Sequence, residues 1–176
     1  DVLEIEKPDG FDGSSFEPLL RGESQDGWDS VFKIYNENSG GQRHPIRGLQ
    51  TRDYLYLFNP WSDGENRFKT ATQGTVSYKR LVAMAEDSPE VAARLHLFDH
   101  RVPEELYHVA EDPDCLVNLI NDPTHDAALQ DLRSRLETVM KETGDHALEA
   151  FQNREDPSLV DAYIAKVSAE AEARRA

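Results

Sequence analysis

Residues Tyr54–Phe58 read YLYLF, five consecutive apolar or aromatic positions. A strand with one wet face would alternate, so an unbroken run belongs inside a sheet covered on both sides. Such a strand needs neighbours, and two candidates lie upstream. Val31–Tyr35 is rich in β-branched and aromatic residues, and Ile46–Thr51 is the second. The stretch Asn38-Ser-Gly-Gly separates these two as a loop, and Arg52-Asp53 falls where a tight hairpin turn would lead into YLYLF. Glu105–Val109 (ELYHV) is short and β-compatible, and is expected to return to the sheet.

The rest reads as helix and connector. Residues 59–73 are irregular and long for a connection, which favours a binding or packing loop. A helix is expected from Thr75, with Tyr78, Leu81, Val82 and Ala85 on one face, and Ser88-Pro89 starts another. Asp122-Pro123 opens the longest helix, with Leu129, Leu132, Leu136 and Val139 facing inward and Gly144 as its stop. Asp145 is expected to cap a short helix to Phe151. Asp156-Pro157 opens the last one, with Val160, Tyr163, Ile164 and Val167 inward. The tail from Ser168 is alanine and charge without an apolar stripe, and is expected to fray or pack elsewhere. Upstream, Pro8, Gly10, Gly13, Leu19–Leu20 and Gly22 suggest a connector with a short docking helix, following the end of an earlier element at residues 1–5. The expected class is α+β, a small antiparallel sheet packed with helices and followed by a helical C-terminal extension. The expected boundaries are a connector over 1–24, an α+β subdomain over 25–122 and the extension over 123–176.

Charge is unevenly distributed. The 176 residues carry a formal charge of −15, yet residues 38–52 and 66–85 contain no acid and hold seven of the 19 Lys and Arg. The first stretch carries Arg43, Arg47 and Arg52 beside His44; the second carries Arg67, Lys69, Lys79 and Arg80. A cationic island on an anionic body suits a small or local anion, because the surrounding charge discourages long polyanions. Lys79 and Arg80 read equally well as the solvated side of a helix. The acidic balance argues against nucleic acid as a partner. No apolar run approaches the ~18 residues of a membrane span, and nothing reads as a signal peptide. Opening at Asp1 without methionine suggests an excised or processed segment.

Catalytic motifs are scarce. Cys115, the single cysteine, lies in DPDCLVNL without a neighbouring base or cation and reads as structural. His96 and His100 are four apart, with Asp99 between them and His108 following, but Val102-Pro103 breaks regular structure nearby. Ordinary histidines at a helix end are the simpler reading, and a small metal site the alternative. No Walker loop, dinucleotide glycine pattern or G-x-S-x-G occurs.

Three stretches resemble the sulfatases. Asp12-Gly-Ser-Ser-Phe-Glu-Pro-Leu-Leu-Arg-Gly22 looks like the family's D-G-x-S-x-x-P-L-L-x-G connector. Pro45-Ile-Arg47, with Thr51, Tyr54 and Tyr56, resembles its P-x-R-A-V-x-T-x-x-Y-x-Y strand pair, Gly48 standing where alanine is common. Glu105-Leu-Tyr107, then Asp112-Pro113 and Asn118-Leu119, is similar to E-L-Y-D-L…D-P-x-E-x-x-N-L, with His108 and Cys115 as departures. The P-x-R segment and the long insert before Glu105 look closest to N-sulfoglucosamine sulfohydrolase (heparan N-sulfatase)-like members.

The resemblance covers the C-terminal subdomain, which in that family docks on an alkaline-phosphatase-like α/β domain. It implies a host hydrolase acting on sulfate esters or N-sulfates of carbohydrates, periplasmic or secreted. The formylglycine nucleophile and calcium are implied for that upstream domain, and no catalytic residue, metal ligand or cofactor for this segment. By family position the loop Glu37–Arg47 would approach the active-site rim. Arg47, His44 and Arg43 are the candidate contacts to sulfate or carboxylate, and Glu37 an acceptor for sugar hydroxyls. Arg47 could instead pair with an internal acid. A homo-oligomer through the last helix is compatible with the sequence. The rival to the sulfatase reading is a stand-alone anion- or glycan-binding module without catalysis.

Overall fold

A computed structural model describes residues 13, 15–25, 27 and 29–175. The expected element over residues 1–5 therefore lies outside the described residues, as do Pro8, Gly10 and part of the D-G-x-S connector.

Among the described residues four strands form one antiparallel sheet in sequence order: β1 (Ser30–Glu37), β2 (Arg43–Thr51), β3 (Leu55–Phe58) and β4 (Glu104–Tyr107). Among the described residues six α-helices accompany them: α1 (Glu17–Leu20), α2 (Val76–Ala85), α3 (Pro89–His100), α4 (Asp126–Glu142), α5 (Leu148–Gln152) and α6 (Pro157–Ala173). The YLYLF run supplies β3, with β2 on one side and β4 on the other, and the turn between β2 and β3 closes where the Thr51 amide donates to the Tyr54 carbonyl. Register brings Leu49, Tyr56 and Leu106 side by side on the face that meets the helices. There they pack with Phe58 and with Leu129, Leu132, Leu136 and Met140 of α4, and with Ala150 and Phe151 of α5. Met140 rather than Val139 completes the α4 stripe, because four residues after Leu136 a 3.6-residue turn comes back to the same face.

Local chemistry explains the helix starts. Thr75, Ser88 and Asp156 each accept amides of the following turn through their side chains, and Asp122 caps a short 3-10 turn that runs into α4. Gly144, at φ 61°, ends the helix in the left-handed conformation that glycine adopts without penalty. Gly48 is more demanding than a common alanine site would suggest. A Cβ there would stand 2.7 Å from Leu57 Cδ2 and 3.0 Å from the Tyr56 carbonyl oxygen, so a side chain fits only if Leu57 swings aside and β3 gives slightly.

Arg47 and Glu105, from the P-x-R and E-L-Y motifs, lie in the interior. Glu105, fully buried, accepts from Arg101 Nε (2.9 Å) and Nη2 (2.8 Å), from Asn59 Nδ2 (2.7 Å) and from the Tyr107 hydroxyl. Its charge is thereby paired and its lone pairs used, as a buried carboxylate requires. The tail from Ser168 does not fray. Helix α6 continues to Ala173, Ala171 is 2% exposed, and Arg175 donates to the Gly41 carbonyl in the β1–β2 loop. Alanine favours helix and lets the backbone come close, so a tail without large side chains still packs. Among the described residues no helix is long and apolar enough to cross a membrane.

Candidate functional site: a cationic cleft at the tip of the first hairpin

Between Tyr35 and Glu37 the pairing of β1 with β2 shifts register, and this irregularity sets the hairpin tip apart from the flat sheet. The loop is held by Asn38, whose Oδ1 accepts the amides of Gly40 (2.9 Å) and Gln42 (3.0 Å) and whose Nδ2 donates to the Lys69 carbonyl (2.8 Å). Gly41 takes φ 73°, which this tight loop needs. The hairpin tip, Lys69 and the C-terminal end of α6 enclose a cleft of about 370 Å³. Arg43, Lys69 and Arg175 line it with Asn38 and Gln42, and among the described residues Glu172 is the one carboxylate on its wall.

Arg43 is the unusual member. Its side chain is only 12% exposed, it makes no side-chain hydrogen bond among the described residues, and its one ionic contact is Nε at 3.4 Å from Glu37 Oε2. The same Glu37 oxygen receives Arg174 Nη2 at 2.9 Å. Its Nε is buried without an acceptor, and a buried donor left so is costly unless something accepts it. Glu37 is half-buried between two arginines, so its capacity for sugar hydroxyls is already partly used.

The other two candidates are enclosed. Arg47 is fully buried: Nε and Nη2 form a fork to Asp145 at 2.6 and 3.0 Å, and Nη1 donates to the carbonyls of Tyr35 (3.0 Å) and Ile46 (2.9 Å). Nη2 also lies 3.2 Å from His146 Nε2. A guanidinium only donates, so Nε2 must accept, which puts the imidazole proton on Nδ1, 3.0 Å from the Tyr163 hydroxyl. Burial, and then the Arg47 charge, hold His146 below the ordinary imidazole range; burial pushes Tyr163 up to about 12. Every donor of Arg47 is spent inside the chain, so the internal ion pair and not an anion contact describes its place here.

His44 is 3% exposed and boxed by aromatic rings, edge-on to Trp61 (4.8 Å) and Phe68 (5.3 Å). Burial pushes its pKa down, against the pull of the Arg67 carbonyl, so the ring is neutral and faces no open surface. Of the four candidates only Arg43 lines the cleft; Glu37 is paired with Arg43 and Arg174 beside it, and Arg47 and His44 are buried.

Two members of the cleft were signalled only weakly by the sequence. Lys69 lies in the second acid-free stretch, and Arg175 in the tail without an apolar stripe; no local pattern joins either to Arg43. Arg67, from the same stretch as Lys69, is committed elsewhere, 2.7 Å from Asp99 and hydrogen-bonded to Tyr78.

The remaining chemistry is sparse. Cys115 is followed by Val117 and Leu119 where a formylglycine motif needs proline and arginine, and burial, with Asp112 adding, pushes its thiol up. His96 and His100 lie 4.6 Å apart with their rings tilted by 31°, and no group of three or more His, Cys, Asp or Glu among the described residues could hold a metal.

No protein-family model matches the sequence, and no curated protein matches it. Among solved structures it is similar to a 2-O GAG sulfatase and to a "putative sulfatase" from Bacteroides thetaiotaomicron VPI-5482. Each is 20% identical with a TM-score of 0.51, over 89% of this chain and 25% of the other. The likeness is one of fold. The chain spans about a quarter of the length of these sulfatases and shares the α+β arrangement of that portion.

Proposed function

We propose that this chain is the C-terminal part of a sulfatase and that its hairpin tip supplies one cationic wall of a pocket for a sulfated carbohydrate. The carrying observation is Arg43, a nearly buried guanidinium with unspent donors at the mouth of a cleft shared with Lys69 and Arg175. Sulfate presents several acceptor oxygens to such a fork, and three cations in a chain of net charge −15 make the cleft a local exception. The fold shared with part of two sulfatases supports the reading, as do the three sequence stretches. Relation to heparan N-sulfatases rests on those stretches alone.

In this reading the nucleophile, a formylglycine, and the calcium beside it belong to residues outside this chain, and the host enzyme works in the periplasm or outside the cell. The contribution of this segment is binding and support. Its apolar side chains at the surface, Leu20 at 74% and Val31 and Ile34 at 56% each, would meet the catalytic domain.

The test is equilibrium binding of a heparin oligosaccharide and of its fully desulfated counterpart to wild type and Arg43→Ala. The sulfated ligand should bind at least tenfold tighter, weaken steeply with salt, and lose that margin in Arg43→Ala. Equal affinity for the two oligosaccharides would sink the reading.

A further inference from the structure

Helix α2 presents a face that no described residue covers. It packs chiefly on α3 and on the 3-10 turn Ala71–Gly74 that precedes it. Tyr78, 7% exposed and bonded to Asp99, faces inward, and Leu81 and Ala85 follow it at helical spacing. Val76, Lys79, Arg80 and Ala83 share the opposite side and are all exposed, with Val82 and Met84 exposed at its flanks. The turn does not stop at Ala85. Glu86 keeps helical dihedrals (φ −66°, ψ −33°), and the Asp87 amide donates to the Met84 carbonyl, which brings both acids round toward the outer face.

The charges of this face are unspent. The side chains of Lys79, Arg80, Glu86 and Asp87 take part in no hydrogen bond or ion pair among the described residues. Helix α2 has no acid in its first turn and no base in its last, so its own dipole gains nothing from them. Glu86 and Asp87 suit the start of α3, which follows at once, but Lys79 and Arg80 have no such use.

Their order supplies the rest. Lys79 lies four residues before Ala83 and Asp87 four after it; Arg80 lies three before and Glu86 three after. A two-fold axis through Ala83, laying α2 antiparallel on the α2 of a second copy, therefore sets Lys79 against the second Asp87 and Arg80 against the second Glu86, each pair twice. The small side chain at the crossing lets the two axes come close, and Val82 and Met84 close the flanks. The basic half of each helix also meets the carbonyl end of the other. An axis one turn earlier would oppose bases with bases, which singles out this register.

We propose that α2 is the contact of a two-fold dimer of this chain, selected by complementary charge. The dimer does not depend on the function proposed above, and none of its contact residues lines the cationic cleft. One short helix from each copy is a small interface, so the dimer is weak, with a Kd on the order of 100 μM.

The test is sedimentation equilibrium of the whole chain from about 10 μM to about 1 mM, in about 0.1 M NaCl to screen the distant charges of a body at −15. Reversible dimer is expected. Lys79→Glu with Arg80→Glu, and separately Glu86→Lys with Asp87→Lys, should each weaken it at least tenfold; all four positions are exposed, and circular dichroism checks the fold. Mixing the two double variants in equal amounts should restore association to the wild-type level or beyond, because every pair is again opposite in sign. If Asp87→Lys disturbs the start of α3, Arg80→Glu mixed with Glu86→Lys repeats the exchange. A chain that stays monomeric up to the highest concentration overturns the proposal. So does a dimer indifferent to both double variants, which would put the contact elsewhere, as at Leu20, Val31 and Ile34. Double variants that remain monomeric when mixed would overturn the antiparallel pairing, and with it the dimer proposed.

Discussion

Arg43 and Arg47 stand four residues apart in one strand and have opposite fates. Arg47 sits where α5 and α6 close over the sheet, and every donor it has is matched by an acid, a carbonyl or a histidine. Arg43 sits beyond the register shift, at the rim, with a single contact at 3.4 Å. The difference is not in the residue type but in what the neighbouring elements bring. Gly144 ends α4 so that Asp145 falls directly on Arg47, whereas at the hairpin tip Glu37 is shared between Arg43 and Arg174. A buried cation that is fully paired holds the fold. One that is only half paired is available to a ligand.

The contrast breaks most visibly at the paired end. Asp145→Ala should cost about 3–5 kcal/mol, because it strands a buried guanidinium rather than removing a weak surface pair. For a chain of this length that is a fall in Tm of roughly 6–20 °C, readable by calorimetry. Glu105→Ala should fall in the same range, since it strands Arg101, Asn59 and Tyr107 together. If Asp145→Ala melts like wild type, Arg47 is not the internal brace described here.

At the rim the ordering should invert. Arg43→Ala should leave stability within about 1 kcal/mol of wild type, because the ionic contact it loses is long and Arg174 still holds Glu37. Binding of a sulfated ligand should drop by a factor of 10–100, as expected for a charge-assisted hydrogen bond worth about 1.5–3 kcal/mol. Matching losses of stability and binding would make Arg43 a second Arg47 and remove the distinction between the two ends.

Gly48 sharpens the comparison from between them. Gly48→Ala should destabilise by about 1–3 kcal/mol through forced displacement of Leu57, measurable by urea unfolding, with no separate effect on ligand.

Sequence legibility followed the same divide. YLYLF, ELY, the capping Asp-Pro pairs and Gly144 announce the sheet and helix ends because each is a local rule about period, capping or φ. The P-x-R and E-L-Y motifs were legible too, but as signatures of the interior: Arg47 and Glu105 hold elements together. What pairs with Arg47 lies 98 residues away, and no periodicity links Asp145 to it. The cleft was harder still, since Arg43, Lys69 and Arg175 come from a hairpin, a loop and a helix end, each with an unremarkable local pattern. Acid-free stretches flagged the first two as a group; only packing of an alanine-rich tail brought in the third.

The smallest effect expected is a pH dependence centred behind the cleft. His44 is driven below the ordinary imidazole range by burial, with Lys69 adding, and His146 is driven down by burial and by Arg47. In the unfolded chain both return to a pKa of about 6.5. The unfolded state therefore binds more protons than the folded one as the pH drops below that value. The stability these two contribute is complete above about pH 6.5 and is lost as the pH falls through their lower folded values. Thermal melts between about pH 7.5 and 5.5, above the range where ordinary carboxylates titrate, should show Tm declining on acidification. In His44→Phe, whose ring fits the Trp61–Phe68 box without a charge to desolvate, the decline should be shallower, with the His146 part remaining. Parallel slopes for wild type and His44→Phe would mean that His44 reaches water more readily than its enclosure implies. The aromatic box around His44 would then be softer than the fully paired surroundings of Arg47.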